Sequence, residues 1–520
     1  MSSASRLLCR FNPAAWFVMK DPVRIQLLPL GATFTVARGA ALQDALFAHG
    51  VEFPCGGHGR CKGCRIKVVA GSLPVSPDDE RLLTGGELDL GWRLACRSRA
   101  MMDLSIELAQ WEEAILADDS NFEFTPRDGF GVAVDLGSTT LVAQLLDLRT
   151  GRVLAVRTAL NAQARHGADI MSRVAFAVLG GEPILRTIIR EQVGRLIEEL
   201  MQSSPAGSAA PADIVLVGNT VMHHLFCGLD IEPLSRAPFE SPRDGPQVFG
   251  AADLGWRLAA HSRVRFLPCL GGFVGSDILA GILAVGLHRA ERLSALVDLG
   301  TNGEIVVGNR ERILFASTAA GPAFEGARIS MGMRAVTGAI TEVNPGRAGL
   351  ECRVLGKVAP RGICGSGLVD AVAAGLDLGR IDPSGRLRDG QSLELAAPVK
   401  LSQADIRELQ LAKGAIAAGL RVLVRQWGAN LEDVVRLYLA GAFGNYINRS
   451  SARRIGLLSV PHDRVTAAGN TALLGAKLAL FDPAAADAIC SGLRRDIRHV
   501  ALHQDPRFQE IYVEEMTFPK

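Results

Sequence analysis

A strand ending in aspartate, then a glycine turn, then a second strand, occurs twice in this 520-residue chain. VAVDLGSTTLV (residues 132–142) places the acid at Asp135, and LVDLGTNGEIVV (296–307) repeats it at Asp298, 163 residues on. Such a hairpin has a physical use. Gly137 and Gly300 let a phosphate approach the backbone. Ser138, Thr139, Thr140, Thr301 and Asn302 offer N–H and side-chain donors, and Gly303 closes the second turn. Each aspartate is suited to holding Mg²⁺ through water. One such turn is an ordinary tight hairpin. Two, each opening an α/β half, are much stronger evidence for a phosphate site.

The pair resembles the phosphate-1 and phosphate-2 elements of the actin, heat-shock ATPase and sugar-kinase superfamily, an RNase H-like fold that holds ATP between two subdomains. Further elements occur in that superfamily's order. GGFVGSDILAGILAVGLH (271–288) is similar to its interdomain helix, which carries a carboxylate near the γ-phosphate. That makes Asp277 the candidate for orienting the attacking water. GICGSGLVDAV (362–372) resembles a glycine-rich connector, with Gly365, Ser366 and Gly367 opening a helix. LYLAGAFGNYI (437–447) resembles the adenosine-site strand and turn, setting Gly441, Ala442 and Gly444 against the nucleotide. No Walker A lysine motif is present and no GxGxxG follows a first strand, so neither a P-loop nor a Rossmann site competes.

Upstream, four of the ten cysteines form the pattern C-x5-C-x2-C-x31-C: Cys55, Cys61, Cys64 and Cys96. Three lie in one glycine-rich loop, CGGHGRCKGC (55–64). The plant-type 2Fe-2S spacing is C-x4-C-x2-C with a distant fourth cysteine, and one additional loop residue still fits it. The glycines permit positive φ and let backbone N–H groups point at sulfur. A four-cysteine zinc site is the alternative, but such sites usually pair two CxxC-like knuckles, and Cys55 and Cys96 have no such partners. His58 reads as an exposed loop residue. The flanking VRIQLLPL, ALQDALFAHG, CRIKVVAG and MDLSIEL read as strand, helix, strand, strand. Their order resembles the β-grasp ferredoxin domain. Arg60, Lys62, Arg65, Lys67, Arg93, Arg97 and Arg99 surround the loop. They are either a face that steers an acidic partner or ordinary solvated residues. The other six cysteines read as reduced structural thiols.

The remaining totals set bounds. The near-neutral formal charge of +2 makes no case for nucleic acid or a membrane surface. The longest apolar stretch, near Ile278–Leu287, falls short of the roughly 20 residues that span a bilayer, and the first residues lack a signal-peptide core. A cytoplasmic protein is expected. The division reads as a disordered extension (1–20), a ferredoxin domain (21–108), an acidic linker (109–128), a first ATPase lobe (129–290) and a second lobe with its tail (291–520). The whole is an α/β protein with an α+β N-terminal domain.

ARHGADIMSRV, VGNTVMHHLFCGL, STAAGPAFEGARISMGMRAVTGAI and VEEMTFPK match neither sugar kinases nor chaperones. Together with the 2Fe-2S domain they resemble the reductive activators of corrinoid-dependent methyltransferase systems, from about Val23 to the last residue. The resemblance implies ATP-dependent one-electron reduction of a Co(II) corrinoid protein to Co(I). Cys55, Cys61, Cys64 and Cys96 would hold the redox centre, and Asp135 and Asp298 the Mg-ATP. It also implies an upstream electron donor and a homodimer. Longer activators carry an additional middle domain before the ATPase, which is expected to be missing here. His223 and His224 are adjacent rather than near i+4, so a packing role is expected. Glu325 would touch the nucleotide or cap the following helix. The rival readings are a redox-sensing ATP-binding regulator, an oxygenase-type reductase and a metabolic kinase. No flavin or NAD signature supports the reductase, and the fused cluster would be unexplained in a kinase.

Overall fold

Alternation in PVRIQLL buries Val23, Ile25 and Leu27 and leaves Arg24 and Gln26 facing water, as a sheet with one covered face requires. The computed structural model describes residues 22–520 apart from 29–31, 49–58, 60–63, 109–123, 168, 204–209, 260, 301, 326–327, 334, 336–337, 347–348, 356–357 and 389. The expected extension, most of the linker, and Cys55, His58, Arg60, Cys61, Lys62 and Thr301 therefore lie outside the described residues.

The N-terminal sheet has five strands in the order Ala32–Ala37, Pro22–Leu28, Leu104–Leu108, Arg65–Ala70, Trp92–Leu94. Pro22–Leu28 runs parallel to Leu104–Leu108, and the other pairs are antiparallel. Helix Leu42–Ala48 adds Leu42 and Leu46 to the core. This is the expected β-grasp domain.

Two further sheets of six strands follow. The first is ordered Val153–Leu160, Thr140–Asp147, Phe130–Leu136, Asp213–Val217, Arg263–Phe266, Gln247–Gly250. The second is ordered Arg498–His499, Ile313–Thr318, Gly303–Gly308, Ser294–Leu299, Arg436–Ala440, Val465–Gly469. Each contains three antiparallel strands joined to two parallel ones in the same succession. The repeated hairpin thus supplies the first two strands of two like sheets. Asp135 and Asp298 each occupy the penultimate position of the opening strand. Val132, Ala133 and Val134 in one, and Ala295, Leu296 and Val297 in the other, are fully buried. That is why these strands read as unbroken apolar runs.

Two helices cross between the sheets. Ser276–Val285 joins the first sheet to the second, and Thr471–Phe481 comes from the far end of the chain. A Cβ at Gly475 would overlap the Ala280 carbonyl oxygen and lie 2.6 Å from the Ala280 Cα; one at Gly281 would lie 3.0 Å from Thr471 Oγ1. Gly475 therefore lets backbone approach backbone, and Gly281 makes room for the Thr471 side chain. Ala472, Leu473, Ala476, Ala479 and Leu480 share a core with Ala133, Val215 and Val217 of the first sheet. Arg127 Nη1 donates to the Leu480 carbonyl (2.6 Å) and Arg265 Nη2 to that of Ala479 (2.7 Å).

The second sheet packs on the long helix Gln403–Trp427, which is closed at its N-terminus by a Ser402–Asp405 capping box. The final residues are fastened to this helix. Lys413 Nζ donates to the Thr517 carbonyl (2.8 Å), its ammonium sits 5.5 Å from the Phe518 ring centroid, and Phe518 is buried.

Candidate functional site

The described part of the cysteine site is the strand pair that follows the loop. Arg65 pairs with Leu94 in register, and the Ala95 N–H donates to the Cys64 carbonyl (3.0 Å). Cys64, buried, and Cys96, half-buried in the 3₁₀ turn Ala95–Arg97, are therefore carried on adjoining backbone. Asp79 fixes that turn. Fully buried, it accepts hydrogen bonds from Leu94 N (2.7 Å), Ser76 N (2.7 Å) and Ser76 Oγ (2.7 Å). Gly59, with φ of +63°, lends its carbonyl to Arg81 Nη2 (2.6 Å), tying the loop to the helix Pro77–Leu82. Two thiols just beyond the paired ends of neighbouring strands, one of them buried, suit a cluster that binds thiolate and excludes water.

Among the described residues, the basic side chains near the loop make contacts within the domain. Arg65 pairs with Glu87 and Arg97 with Asp78, both at 2.6 Å. Arg93 donates to the carbonyls of Leu73, Leu88 and Trp92, and Arg99 to that of Gly39. Lys67 lies 6.0 Å from the Trp92 ring centroid. The structure favours the ordinary reading for these five.

In the two-sheet part the aspartates of the two hairpins lie near enough for the charge of Asp135 to act on Asp298. Gly441, with φ of +83°, ends the strand Arg436–Ala440; a Cβ there would lie 2.6 Å from Asp298 Oδ1. The glycine expected at the adenosine and the aspartate expected at the phosphates are thus brought together. Asp277 stands in the first turn of Ser276–Val285, whose start is clamped to the end of strand Asp213–Val217: Ser276 N donates to the Gly218 carbonyl (2.9 Å), and Gly218 N to Ser276 Oγ (3.0 Å). Gly137 lends its carbonyl to Asn161 Nδ2 (3.0 Å), holding the first hairpin, with Ser138 and Thr139 half-buried and Thr140 exposed. In the second turn Gly300 N donates to the Asn302 carbonyl (3.1 Å), and both residues are half-buried.

Other glycines of the expected set serve packing. A Cβ at Gly303 would lie 2.9 Å from Ile416 Cγ1 on the long helix. One at Gly365 would overlap the Phe324 carbonyl, one at Gly367 the Ile340 carbonyl, and one at Gly444 would lie 3.1 Å from Leu439 Cγ. Ser366 Oγ donates to the Thr341 carbonyl (3.0 Å). Ala442 lies in the helix Gly441–Tyr446 that opens from the same turn. The structure therefore sets Gly441 at the carboxylates, and Gly303, Gly365, Gly367 and Gly444 against protein.

Two residues at the cleft escaped the sequence reading. Glu304 pairs with Asp298 across the hairpin, and Ser317 pairs with Glu304 on the next strand. Each is half-buried in a strand otherwise buried throughout, so the three form one polar row across the sheet. A lone acid in GEIVVG was the available signal. The other is Asn470, whose Nδ2 donates to Asp135 Oδ2 (2.8 Å) while its Oδ1 accepts from Leu473 N (2.8 Å), capping Thr471–Phe481.

Burial raises the pKa of the Asp135 carboxyl to about 6, with the Asn470 amide holding it back. Burial takes Asp298 to about 7, and the Asp135 charge adds to it. Burial takes Asp277 to about 7, with the charges of Asp298 and Asp135 adding. Glu304 is pushed well above the carboxylate range by burial and then by Asp277 and Asp298. Among the described residues no cation contributes to these shifts at Asp277, Asp298 or Glu304. Acids gathered without a counter-charge fit a divalent cation with its nucleotide. Among the described residues no three acidic, His or Cys side chains close on a point as direct ligands. Mg²⁺ there would be held through water, as suits its reluctance to dehydrate.

The motif histidines are structural. His223 is fully buried edge-on to Phe266 (4.8 Å) and pushed down to about 3 by burial. His224 bonds the Thr220 carbonyl (2.8 Å) and Ser241 Oγ (2.7 Å). Cys227, Cys269, Cys352, Cys364 and Cys490 are thiols raised by burial, consistent with reduced packing residues. Glu325 ends the 3₁₀ turn Pro322–Glu325. Among the described residues no helix is long and apolar enough to cross a membrane.

Comparison with known proteins matches these parts in order. The family model described as a 2Fe-2S iron-sulfur cluster binding domain matches residues 25–101, the RACo middle region 130–290, and the C-terminal domain of RACo, the ASKHA domain, 292–520. The expected lack of a middle domain is thereby corrected, since the middle region corresponds to the sheet that carries Asp135. The chain is 36% identical over 420 residues to the "Corrinoid activation enzyme RamQ" of Eubacterium limosum, covering 75% of this chain and 70% of that protein. It is 27% identical over 421 residues to the "[Co(II) methylated amine-specific corrinoid protein] reductase" of Methanosarcina barkeri, covering 75% and 77%. A solved structure, "Reductive activator for corrinoid,iron-sulfur protein", superposes with a TM-score of 0.66 at 26% identity over 96% of this chain and 98% of that one. With a 2Fe-2S domain, a RACo middle region and an ASKHA domain in succession, the chain belongs to the RACo family of reductive activators of corrinoid proteins.

Proposed function

We propose that this protein uses ATP to return one electron to the cobalt of a corrinoid protein, converting Co(II) to Co(I), in support of a methyltransferase system. One observation carries the reading. A strand pair bearing Cys64 and Cys96 and a two-lobed cleft bearing Asp135, Asp277 and Asp298 occur in one chain, in the order of its relatives. Neither an electron carrier nor a kinase needs both.

Cys55, Cys61, Cys64 and Cys96 would hold a 2Fe-2S cluster, with Asp79 fixing the turn that carries Cys96, and that group would supply the one-electron couple the reduction needs. Each ~59 mV of uphill gap costs about 1.4 kcal/mol, and hydrolysis of ATP to ADP and phosphate offsets it. Asp135 and Asp298 would hold a hydrated Mg²⁺, and Gly137, Ser138, Thr139, Thr140, Gly300, Thr301 and Asn302 would receive the phosphates. Asp277 orients the attacking water, with its ionised form favoured once a cation lies near. Closure of the lobes about the crossed helices carries nucleotide occupancy to the rest of the molecule. The working units are residues 21–108, 129–290 and 291–520. An upstream electron donor and a homodimeric state complete the proposal.

The test is anaerobic. Protein reduced with dithionite, freed of excess reductant, is mixed with a Co(II) corrinoid protein, and Co(I) absorbance is followed with and without Mg-ATP. Co(I) that forms only with ATP and vanishes in Asp298→Ala supports the reading. No Co(I) with several corrinoid partners, despite an intact cluster spectrum and bound ATP, moves it to a redox-sensing regulator.

A further inference from the structure

We propose that Asn470 is the positioning residue of the nucleotide site, orienting Asp135 and tying it to the helix Thr471–Phe481. The inference rests on the nucleotide cleft proposed above and adds a residue to it. Asn470 stands between three parts of the molecule. It follows the edge strand Val465–Gly469 of the second sheet, caps the helix that packs on the first sheet, and bonds the aspartate that closes the first sheet's opening strand. The two bonds use opposite ends of one amide: Oδ1 accepts from Leu473 N and Nδ2 donates to Asp135 Oδ2, both at 2.8 Å. A planar amide held at one end has little freedom at the other. The cap therefore aims the donor, and the donor selects which Asp135 oxygen remains for a hydrated cation. Asn470 itself is exposed at the cleft, so this arrangement meets the ligand directly.

The bond also has a mechanical side. Five residues after Asn470 comes Gly475, where the helix touches Ala280, three residues past Asp277. A shift of Asp135 on binding metal and nucleotide would thus reach both helices through a single side chain.

Serine is as good a helix cap as asparagine, but too short to reach Asp135. Asn470→Ser therefore separates positioning from capping, and Asn470→Ala removes both. ATP affinity is measured by calorimetry on the cluster-loaded full chain, once with Mg²⁺ and once with chelator. For Asn470→Ser the expected result is a melting temperature within about 2 °C of the parent, and Mg-ATP binding about tenfold weaker (about 1.4 kcal/mol). Metal-free ATP binding should stay within about twofold. Asn470→Ala should match that loss and also melt lower. In an Asp135→Asn background Asn470→Ser should add nothing further. Mg-ATP affinity equal to the parent, an equal loss with chelator, or losses that add across the two sites would each overturn the assignment. If Asn470→Ser does not fold, Asn470→Ala measured alone and in the Asp135→Asn background tests the same assignment by additivity. A parent protein that binds no ATP at all would instead sink the nucleotide cleft itself.

Discussion

Adding one methyl group at the helix crossing should disturb the ATPase part of the molecule without touching a ligand. At Gly475 the new Cβ would meet Ala280 backbone, with 2.5 Å to its carbonyl carbon and 2.6 Å to its Cα. Ordinary contact needs roughly 3.4 Å or more, so Gly475→Ala opens the crossing by about 1 Å. Overpacking typically costs about 1–3 kcal/mol, and the upper end applies because the obstacle is backbone rather than a side chain that can turn away. Alanine recovers about 1 kcal/mol of helix propensity. The net is about 2 kcal/mol, which for a lobe-sized unit lowers the melting transition by about 4–8 °C. Scanning calorimetry reads the ATPase transition, while bleaching of the cluster's visible absorption reports the N-terminal domain, which should not move. Mg-ATP affinity should fall as well, because Asp277 and Asn470 stand at the N-terminal ends of the two helices. A variant whose ATPase transition matches or exceeds the parent's would show that propensity outweighs the contact, and would refute the crossing as a tight junction.

The raised carboxyls predict a pH dependence. Asp135, Asp277 and Asp298 titrate near 6, 7 and 7 when folded and near 4 when unfolded, so the folded protein binds more protons between those values. Thermal stability of the nucleotide-free protein should rise as pH falls from 8 toward 5, and Asp298→Asn should flatten that slope. Mg-ATP binding, which in the proposed site uses the ionised carboxylates, should weaken over the same range. Burial lowers Lys413 to about 8, so the unfolded chain binds the extra proton between there and about 10.4. Its contribution to stability should rise from pH 8 to 10 in thermal melts, and Lys413→Met should abolish that rise. Asp79→Ala leaves the Leu94 N–H unpaired beneath Cys96, a cost of about 1–3 kcal/mol. The variant's visible cluster absorption should decay faster under a chelator than that of the parent.

Much of the architecture was open to sequence reasoning because its determinants are local. The alternation of Val23, Ile25 and Leu27, the spacing of the cysteines, and the paired hairpins each lie within one short segment. What escaped depends on partners far along the chain. The run Asn470-Thr471 announces a helix cap, but its Asp135 bond spans 335 residues. Glu304 joins the carboxylates because hairpin register sets it opposite Asp298, and register depends on the turn between them, not on the acid alone. Sequence reading left Arg65, Arg93 and Arg97 open between a steering face and ordinary solvated residues, because composition shows charges but not the acids and carbonyls they meet. The glycines divide for a similar reason. Gly441 and Gly303 sit in turns of like composition, yet one meets a carboxylate and the other Ile416.

The route of the chain has a consequence for its synthesis. All five strands of the β-grasp sheet lie within residues 22–108, so its backbone pairing can be completed while the ribosome is still at work downstream. The first ATPase lobe cannot. The segment that leads into its opening strand waits for Leu480, whose carbonyl accepts from Arg127 across 353 residues, and the second lobe waits for Phe518, buried beside Lys413. Contacts of such long range slow folding. Nascent chains halted after residue 200 should therefore already resist protease over the N-terminal domain, whereas both halves of the nucleotide cleft become resistant together, only on release.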